Sequence, residues 1–219
     1  MALSVAFNLL ETELDILADE LRAFAATNSP VNAPDRFSLL DECVLEGLLS
    51  RVWQAWCAFA RFCVIGSCEG TTSSGGIAIN ALPDALSEEH VSSAAIRAKK
   101  TTPPYWGSTN AILRYEPTWG DVDVLNNILT RLRPNNHVQL LAAFSSISSS
   151  AKALQTIRNG AAHHNHQSLK EIQRLQSAYV VFQIGHPTHA MFWVDPSTSD
   201  FLITAAIEEL KAAAQAAIA

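Results

Sequence analysis

Residues 154–171 read LQTIRNGAAHHNHQSLKE, and the interpretation of the whole chain starts from this stretch. Leu154, Ile157 and Ala161 recur at i, i+3 and i+7, which is the spacing of a helix that packs one face inward. The pattern therefore predicts a helix that carries the polar residues of this stretch on its other faces.

A second helix is predicted to follow closely. Ser168 and Glu171 have the spacing of a capping box, in which the serine accepts from a free amide and the glutamate reaches back. We therefore expect the second helix to begin near Leu169. Residues 163–167 then form the corner between two helices, where exposed side chains can meet a ligand.

The polar side chains of the first helix lie close to this corner. Asn159 and His163 are four residues apart and share a face, whereas Arg158 and His163 project about 140° from one another. A long arginine side chain can bridge that angle. Residues 160–162 are glycine and alanine, so another backbone, a phosphate or a second subunit can approach between the polar ends.

Residues 158–163, RNGAAH, resemble the signature of the HEPN family (higher eukaryotes and prokaryotes nucleotide-binding), in which an arginine, a polar residue, a short spacer and a histidine end a helix of an all-α bundle. The resemblance implies that Arg158 and His163 are catalytic and that Asn159 supports them. His164 is a second candidate for the functional imidazole. Many family members look like metal-independent endoribonucleases whose active site is assembled from two such motifs across a homodimer.

The resemblance predicts an endoribonuclease of a toxin–antitoxin or defence type, acting on RNA without a metal or other cofactor. A cognate antitoxin or a nucleotidyltransferase-type protein is its expected partner. The alternative is a non-catalytic HEPN bundle that binds a nucleotide or a partner protein. The residue types suit the cleavage chemistry, since histidine titrates near neutrality and arginine donates to phosphate in a fixed fork.

Two other interpretations of the motif residues remain open. Arg158 can pair with a carboxylate or a helix C-terminus while His163 caps the last carbonyls of its own helix. A zinc or nickel site is also conceivable, because five of the seven histidines fall within 27 positions. These are His163, His164, His166, His186 and His189. Adjacent histidines cannot face one point on a helix, and no facing carboxylate is identified, so we predict no metal site.

Charge is distributed unevenly along the chain. The net charge is −6, and nine acidic residues against two arginines fall within the first fifty positions. Residues 131–174 hold six basic residues and one acidic residue, which is the composition of a local phosphate site in an acidic protein. Besides Arg158, the candidate RNA-binding residues are Arg131, Arg133, Lys152, Lys170 and Arg174.

Length and composition favour one domain over residues 1–219, because 219 residues with 48% hydrophobic content can bury a sizeable core. The N-terminus shows no basic region ahead of an apolar core, so we expect no signal peptide and a cytoplasmic protein. The most apolar run, residues 52–66, is too short and too polar to span a bilayer. No membrane association is expected.

Periodicity and capping signals predict an all-α bundle of the HEPN type with an irregular insertion around residues 69–107. Residues 69–76 are predicted to be a flexible loop and 186–193 a short strand or extended loop. Two Trp-Gly turns deliver N-caps at Ser108 and Asp121, and their tryptophans are expected to anchor in the core. The predicted helices cover residues 3–25, 38–66, 87–100, 121–133, 138–147, the motif helix, 169–184, and a last helix capped by Asp195 with Pro196 at its first position.

The four cysteines stand singly within or beside apolar helical sequence, without a Cys-x-x-Cys pair. Such cysteines are typically buried and structural. We therefore predict buried thiols at Cys43, Cys57, Cys63 and Cys68, with no zinc or disulfide role.

Overall fold

A computed structural model describes residues 2–28, 37–100, 103–107, 109, 112–163 and 165–219. Helices make up most of the described residues, and the only strands among them form one two-stranded sheet, so the all-α prediction is confirmed. The α-helices are α1 Leu3–Asn28, α2 Leu39–Glu69, α3 Glu88–Lys99, α4 Val122–Leu132, α5 His137–Ser146, α6 Ser148–Ala162, α7 His166–Leu175 and α8 Leu202–Ile218.

The contacts divide the chain into two compact units. Unit 1 contains the chain up to Glu11, Trp56–Ser148 and Lys211–Ala219. Unit 2 contains Thr12–Ala55 and Ser149–Leu210. Helices α1, α2 and α8 each contribute residues to both units, whereas the helix with the RNGAAH motif lies in unit 2 apart from its first residue.

The core of unit 1 forms around a buried tryptophan of α2. The Trp56 ring meets Phe144 of α5 edge-on, with ring centroids 5.6 Å apart, and lies beside Phe59. Its Nε1 donates to the carbonyl of Gly120 at 3.3 Å, so the buried polar atom is satisfied. This arrangement anchors the start of α4 to α2.

A partly buried ion pair also stabilises unit 1. Nε and Nη2 of Arg61 each donate to Glu116 at 2.8 Å, and Ser92 and Trp119 donate to the same carboxylate at 2.6 and 2.9 Å. Burial raises the pKa of Glu116, but the hydrogen bonds from these three side chains outweigh it and lower that pKa to about 2. Trp119 is buried, as the prediction of a core anchor requires, while Trp106 is half-buried.

The insertion is more ordered than the sequence predicts. Strands β1 Thr71–Thr72 and β2 Ala78–Ile79 pair antiparallel within it, so the loop predicted over residues 69–76 is wrong at the helical Glu69 and at β1, whereas residues 73–76 form the turn between the strands. Helix α2 continues past Gly66 to Glu69 and ends at Gly70, which has a φ of +91°. A Cβ at Gly70 would lie 3.0 Å from the Ala81 amide nitrogen, so the turn requires glycine.

Three predicted helix starts are confirmed. Ser38 and Asp41 cap α2 reciprocally, and Ser87 accepts from the amide of His90 at the start of α3. Asp121 accepts from two amides of α4. The predicted N-cap at Ser108 lies outside the described residues.

The second half of unit 2 departs from the predicted helices. Helix α7 ends at Leu175 and a 3₁₀ turn follows, so the prediction of a helix over 169–184 is wrong. Val180 instead pairs with Val194 as an isolated β-bridge. Such pairing suits β-branched residues on an extended backbone.

Residues 187–192 form a 3₁₀ helix rather than the expected strand or extended loop. The predicted cap at Asp195 is wrong as well, because α8 begins only at Leu202. The carboxylate of Asp195 accepts from the amide and hydroxyl of Ser197, and this closes a turn instead of starting a helix.

The cysteine prediction is confirmed in part. Cys63 and Cys68 are buried, and burial raises the pKa of both thiols. Cys57 is half-buried, and Cys43 is exposed, so the prediction for Cys43 is wrong. None of the helices among the described residues has the length and apolarity needed to cross a bilayer.

Candidate functional site

The motif helix α6 presents its polar residues beside a buried face. Leu154, Ile157 and Gly160 are buried, in agreement with the predicted inward face. Arg158 and Asn159 are half-buried, and His163 is exposed immediately after the last helical residue. The helix therefore ends at the candidate imidazole, as the motif predicts.

The backbone of His163 is fixed from both sides of the corner. Its amide donates to the carbonyl of Asn159 at 2.9 Å, and its carbonyl accepts from the Ser168 hydroxyl at 2.7 Å. The side-chain amide of Asn165 also donates to that carbonyl at 3.2 Å. The imidazole is thus exposed on a backbone held by hydrogen bonds, where it can meet a ligand.

Asn165, not Ser168, is the N-cap of α7. Its side chain accepts from the amides of Gln167 and Ser168 at 3.0 Å each, and Ser168 accepts from the Asn165 amide at 3.3 Å. The predicted cap at Ser168 is wrong by three positions, because asparagine is at least as good a cap and lies nearer the end of α6. The corner is correspondingly shorter than predicted. His164 lies outside the described residues.

The guanidinium of Arg158 has a neutral neighbour. Its Nη1 donates to the side-chain oxygen of Asn159 at 3.3 Å. Among the described residues, no carboxylate lies within 4.0 Å of it, whereas Arg22, Arg51 and Arg61 all have such a partner. The described contacts thus offer no support for a structural ion pair at Arg158, and an incoming anion meets no carboxylate competitor there.

Gly160 allows a close approach within the chain itself. A Cβ at this position would lie 2.5 Å from Cδ1 of Ile172 in α7 and 3.5 Å from Cβ of Pro187 in the 3₁₀ helix. At Gly160, the space predicted for a phosphate or a second subunit is therefore occupied by these two side chains. Gly160 brings three segments of unit 2 together behind the motif.

The other candidate RNA-binding residues fall into two groups. Lys152, Lys170 and Arg174 are exposed on the helices of unit 2 that flank the corner. Arg131 and Arg133 belong to unit 1, where they donate to the carbonyls of Ala98 and Thr130. RNA contacts at all five positions stay a prediction.

A second polar cluster in unit 2 was missed by sequence reasoning. Glu42, His186 and His189 each offer one ligand atom, and these atoms lie within 4.8 Å of one another. Nε2 of His186 lies 3.4 Å from Oε1 of Glu46, and Nε2 of His189 lies 3.7 Å from Oε1 of Glu42. The facing carboxylates that the sequence did not identify come from α2.

The signal for this cluster is present but weak in the sequence. Glu42 and Glu46 are four residues apart, hence on one face of α2, and His186 and His189 are three residues apart. Nothing local indicates that the two pairs meet, since some 140 residues separate them along the chain. His163 and His166 are not among the residues that form this cluster.

Burial increases across the cluster towards His189. The side chain of His189 is 2% exposed, that of His186 11%, and those of Glu42 and Glu46 26% and 43%. The Phe37 ring meets the His189 ring edge-on, with centroids 4.7 Å apart. The cluster is therefore a half-open site with an apolar floor.

No family model, curated protein or solved structure matches this chain.

Proposed function

We propose that this protein is a metal-independent endoribonuclease of the HEPN type, in which Arg158 and His163 form the active site. The observation that carries the proposal is their joint placement at the end of α6. One residue offers a guanidinium with no carboxylate within 4.0 Å among the described residues, and the other an exposed imidazole on a fixed backbone.

The reaction divides into two proton transfers and one displacement. An imidazole takes the proton of a ribose 2′-hydroxyl, and the 2′ oxygen attacks the adjacent phosphorus. The bond from phosphorus to the 5′ oxygen breaks, and an imidazolium gives the leaving oxygen its proton. The products are a 2′,3′-cyclic phosphate and a 5′-hydroxyl, so no oxidant, metal or further reactant is needed.

Two copies of the chain supply the groups that these steps need. A single His163 cannot stand on both sides of the phosphorus at once, whereas two copies across a homodimer provide a base and an acid. The two Arg158 guanidinium groups then donate to the phosphate oxygens as charge builds up on them. Asn159 supports this role by contacting Arg158 at 3.3 Å without neutralising it.

The proposed biological setting is what the resemblance to the HEPN family implies. An RNA-cleaving homodimer of this kind suits a toxin–antitoxin or defence system, with a cognate antitoxin or nucleotidyltransferase-type protein as its partner and cytoplasmic RNA as its substrate. A non-catalytic bundle that binds a nucleotide or a partner protein is the alternative, because the same helix ends serve binding as well as cleavage.

The test is cleavage of a mixed RNA substrate in the presence of chelator. Wild type is compared with Arg158→Ala and His163→Ala, and Arg114→Ala and His166→Ala serve as exposed arginine and histidine controls. Folding and dimerisation of each variant are checked first. We expect the two motif variants to lose activity by at least about 100-fold while the controls retain it.

Two other outcomes would count against the proposal. Equal activity in wild type and both motif variants would remove the active-site assignment. An inactive wild type that co-purifies with a nucleotide or a partner protein would favour the binding module.

A further inference from the structure

Two pairs of metal-ligating side chains face each other in unit 2, away from the residues assigned to RNA cleavage. Glu42 and Glu46 come from adjacent turns of α2, and His186 and His189 come from the start and the middle of the 3₁₀ segment. We infer that these four side chains form a zinc-binding site. The inference is independent of the proposed ribonuclease, whose chemistry uses no metal.

The spacing of the ligand atoms suits a tetrahedral ion. Zinc bonds of about 2.0–2.2 Å to nitrogen and oxygen place neighbouring ligand atoms about 3.4 Å apart in a tetrahedron. The two imidazole–carboxylate separations are 3.4 and 3.7 Å, and the ligand atoms of Glu42, His186 and His189 all lie within 4.8 Å of one another. Glu46 is not one of the three residues that meet this limit, so its side chain has to turn from His186 towards the other two ligands to bind the same ion.

The ligand types select the class of metal. Imidazole nitrogen favours zinc and its transition-metal neighbours over calcium and magnesium, which prefer oxygen ligands alone. Two carboxylates and two neutral imidazoles balance the charge of a divalent ion. Four protein ligands leave no open position, which is typical of a structural rather than a catalytic zinc site.

Contacts around the imidazoles orient both rings. Nδ1 of His186 accepts from the Thr188 amide at 3.4 Å and lies 2.8 Å from the Thr188 hydroxyl oxygen. Zinc at Nε2, which faces Glu46, would put the ring proton on Nδ1, where that hydroxyl can accept it in place of the long amide hydrogen bond. Nδ1 of His189 accepts from the amides of Gly185 and His186 at 3.3 Å each. Zinc at Nε2 of His189 puts the ring proton on Nδ1 and displaces these two long hydrogen bonds, which limits the affinity of the site.

The site would tie α2 to the segment behind the motif helix. Pro187, next to His186, lies against the position where a Cβ of Gly160 would stand, at 3.5 Å. An ion held by both elements therefore stabilises the packing of the 3₁₀ segment beside α6. Its predicted role is to stabilise unit 2, not to take part in cleavage.

The test uses the full chain after chelator treatment and transfer to chelator-free buffer. Zinc is titrated calorimetrically, and Co²⁺ is added separately to read tetrahedral coordination from its visible absorption. We expect one ion per chain, a tetrahedral Co²⁺ spectrum and a rise in melting temperature on zinc addition. Glu42→Gln, Glu46→Gln and His186→Asn should each weaken zinc binding at least about tenfold.

Matched controls separate this site from adventitious binding at surface histidines and acids. Glu20→Gln on α1 and His166→Ala on α7 change exposed residues outside the cluster and should leave the affinity unchanged. His189 is buried, so the three less buried ligands decide the test even where a His189 variant fails to fold. Absence of stoichiometric zinc, or zinc affinity equal in wild type and all three ligand variants, would overturn the inference.

Zinc binding is measured without RNA, so its outcome does not depend on the outcome of the cleavage assay.

Discussion

Two arginines with opposite surroundings distinguish a structural cation from a candidate functional one. Arg61 in unit 1 donates to Glu116 through two nitrogens and to Glu88 through Nη2 at 2.7 Å. Arg158 in unit 2 donates to the neutral side chain of Asn159 at 3.3 Å. Both are partly buried, and they differ in whether carboxylates already satisfy the guanidinium.

The two guanidinium groups differ in what their positive charge contacts. A guanidinium held by carboxylates contributes to folding and has little capacity left for a ligand, and hydrogen bonding to Glu116 and Glu88 further raises the pKa of Arg61. A guanidinium beside an amide keeps its positive field for an incoming phosphate. Arg61 should therefore matter for stability and Arg158 for activity.

The largest expected effect comes from making the same substitution, arginine to lysine, at both positions. Arg158→Lys keeps the charge but loses the planar fork, so we expect RNA cleavage to fall about 100-fold with little change in melting temperature. Arg61→Lys should lower the melting temperature and leave the cleavage rate of the folded protein unchanged. A larger loss of stability in Arg158→Lys than in Arg61→Lys would contradict the comparison.

The carboxylate partner of Arg61 provides the next test. Glu116→Gln removes the charged acceptor shared by Arg61, Ser92 and Trp119 and leaves Glu88 as the carboxylate partner of Arg61, so we expect the free energy of unfolding to fall by about 3 kcal/mol. Chemical denaturation measures this loss. Glu89→Gln, at an exposed position of α3, is the control and should be close to neutral.

Lowering the pH from about 4.5 to about 2 should weaken the ion pair of Arg61 and Glu116. The pKa of Glu116 is lowered from 4.5 to about 2, so the stability this group contributes is complete above about pH 4.5 and is lost as the pH falls towards 2. The stability difference between wild type and Glu116→Gln should shrink over that range. A difference independent of pH between 4.5 and 2 would show that the pKa of Glu116 is not depressed.

The close approach behind the motif predicts a smaller effect. Gly160→Ala places a methyl group 2.5 Å from Cδ1 of Ile172 and should cost about 2 kcal/mol of stability. Replacing Ile172 by valine removes that contact, so the double variant should be more stable than Gly160→Ala alone. Gly47→Ala, also in a helix, meets no atom within 4 Å and should be neutral or slightly stabilising.

The smallest effect concerns the cap that holds the corner. Asn165→Ala removes the acceptor for two amides of α7 and should cost about 1 kcal/mol. The neighbouring Gln167→Ala serves as a control at an exposed position. Equal stabilities of the two variants would show that the cap contributes little to the corner.

Local signals in the sequence predicted much of the fold. Amphipathic periodicity located the helices, and the caps at Ser38, Ser87 and Asp121 lie where their side chains accept from free amides. Two residues at the corner, Asn165 and Ser168, can cap α7. The capping-box spacing indicated Ser168, whereas Asn165 is the N-cap in the structure. Asp195 has the composition of a cap but closes a turn with Ser197, a choice that local sequence alone does not decide.

Features that depend on distant contacts could not be predicted in this way. Val180 leaves the predicted helix because it pairs with Val194, and Cys43 is exposed although the apolar Val44 and Leu45 follow it. The cluster of Glu42 and His186 needs two segments that only the folded chain brings together. The proximity of Arg158 and His163 could be predicted from the sequence because both lie at the end of one helix, whereas their role stays a prediction.

The identity of the cleavage products tests the central claim most directly. Wild type is incubated with a defined RNA in the presence of chelator, and the new ends are identified by mass spectrometry, with His163→Ala in parallel. The account predicts a 2′,3′-cyclic phosphate and a 5′-hydroxyl from wild type and neither product from His163→Ala. Linear products with a 3′-hydroxyl, or unchanged cleavage by His163→Ala, would contradict it.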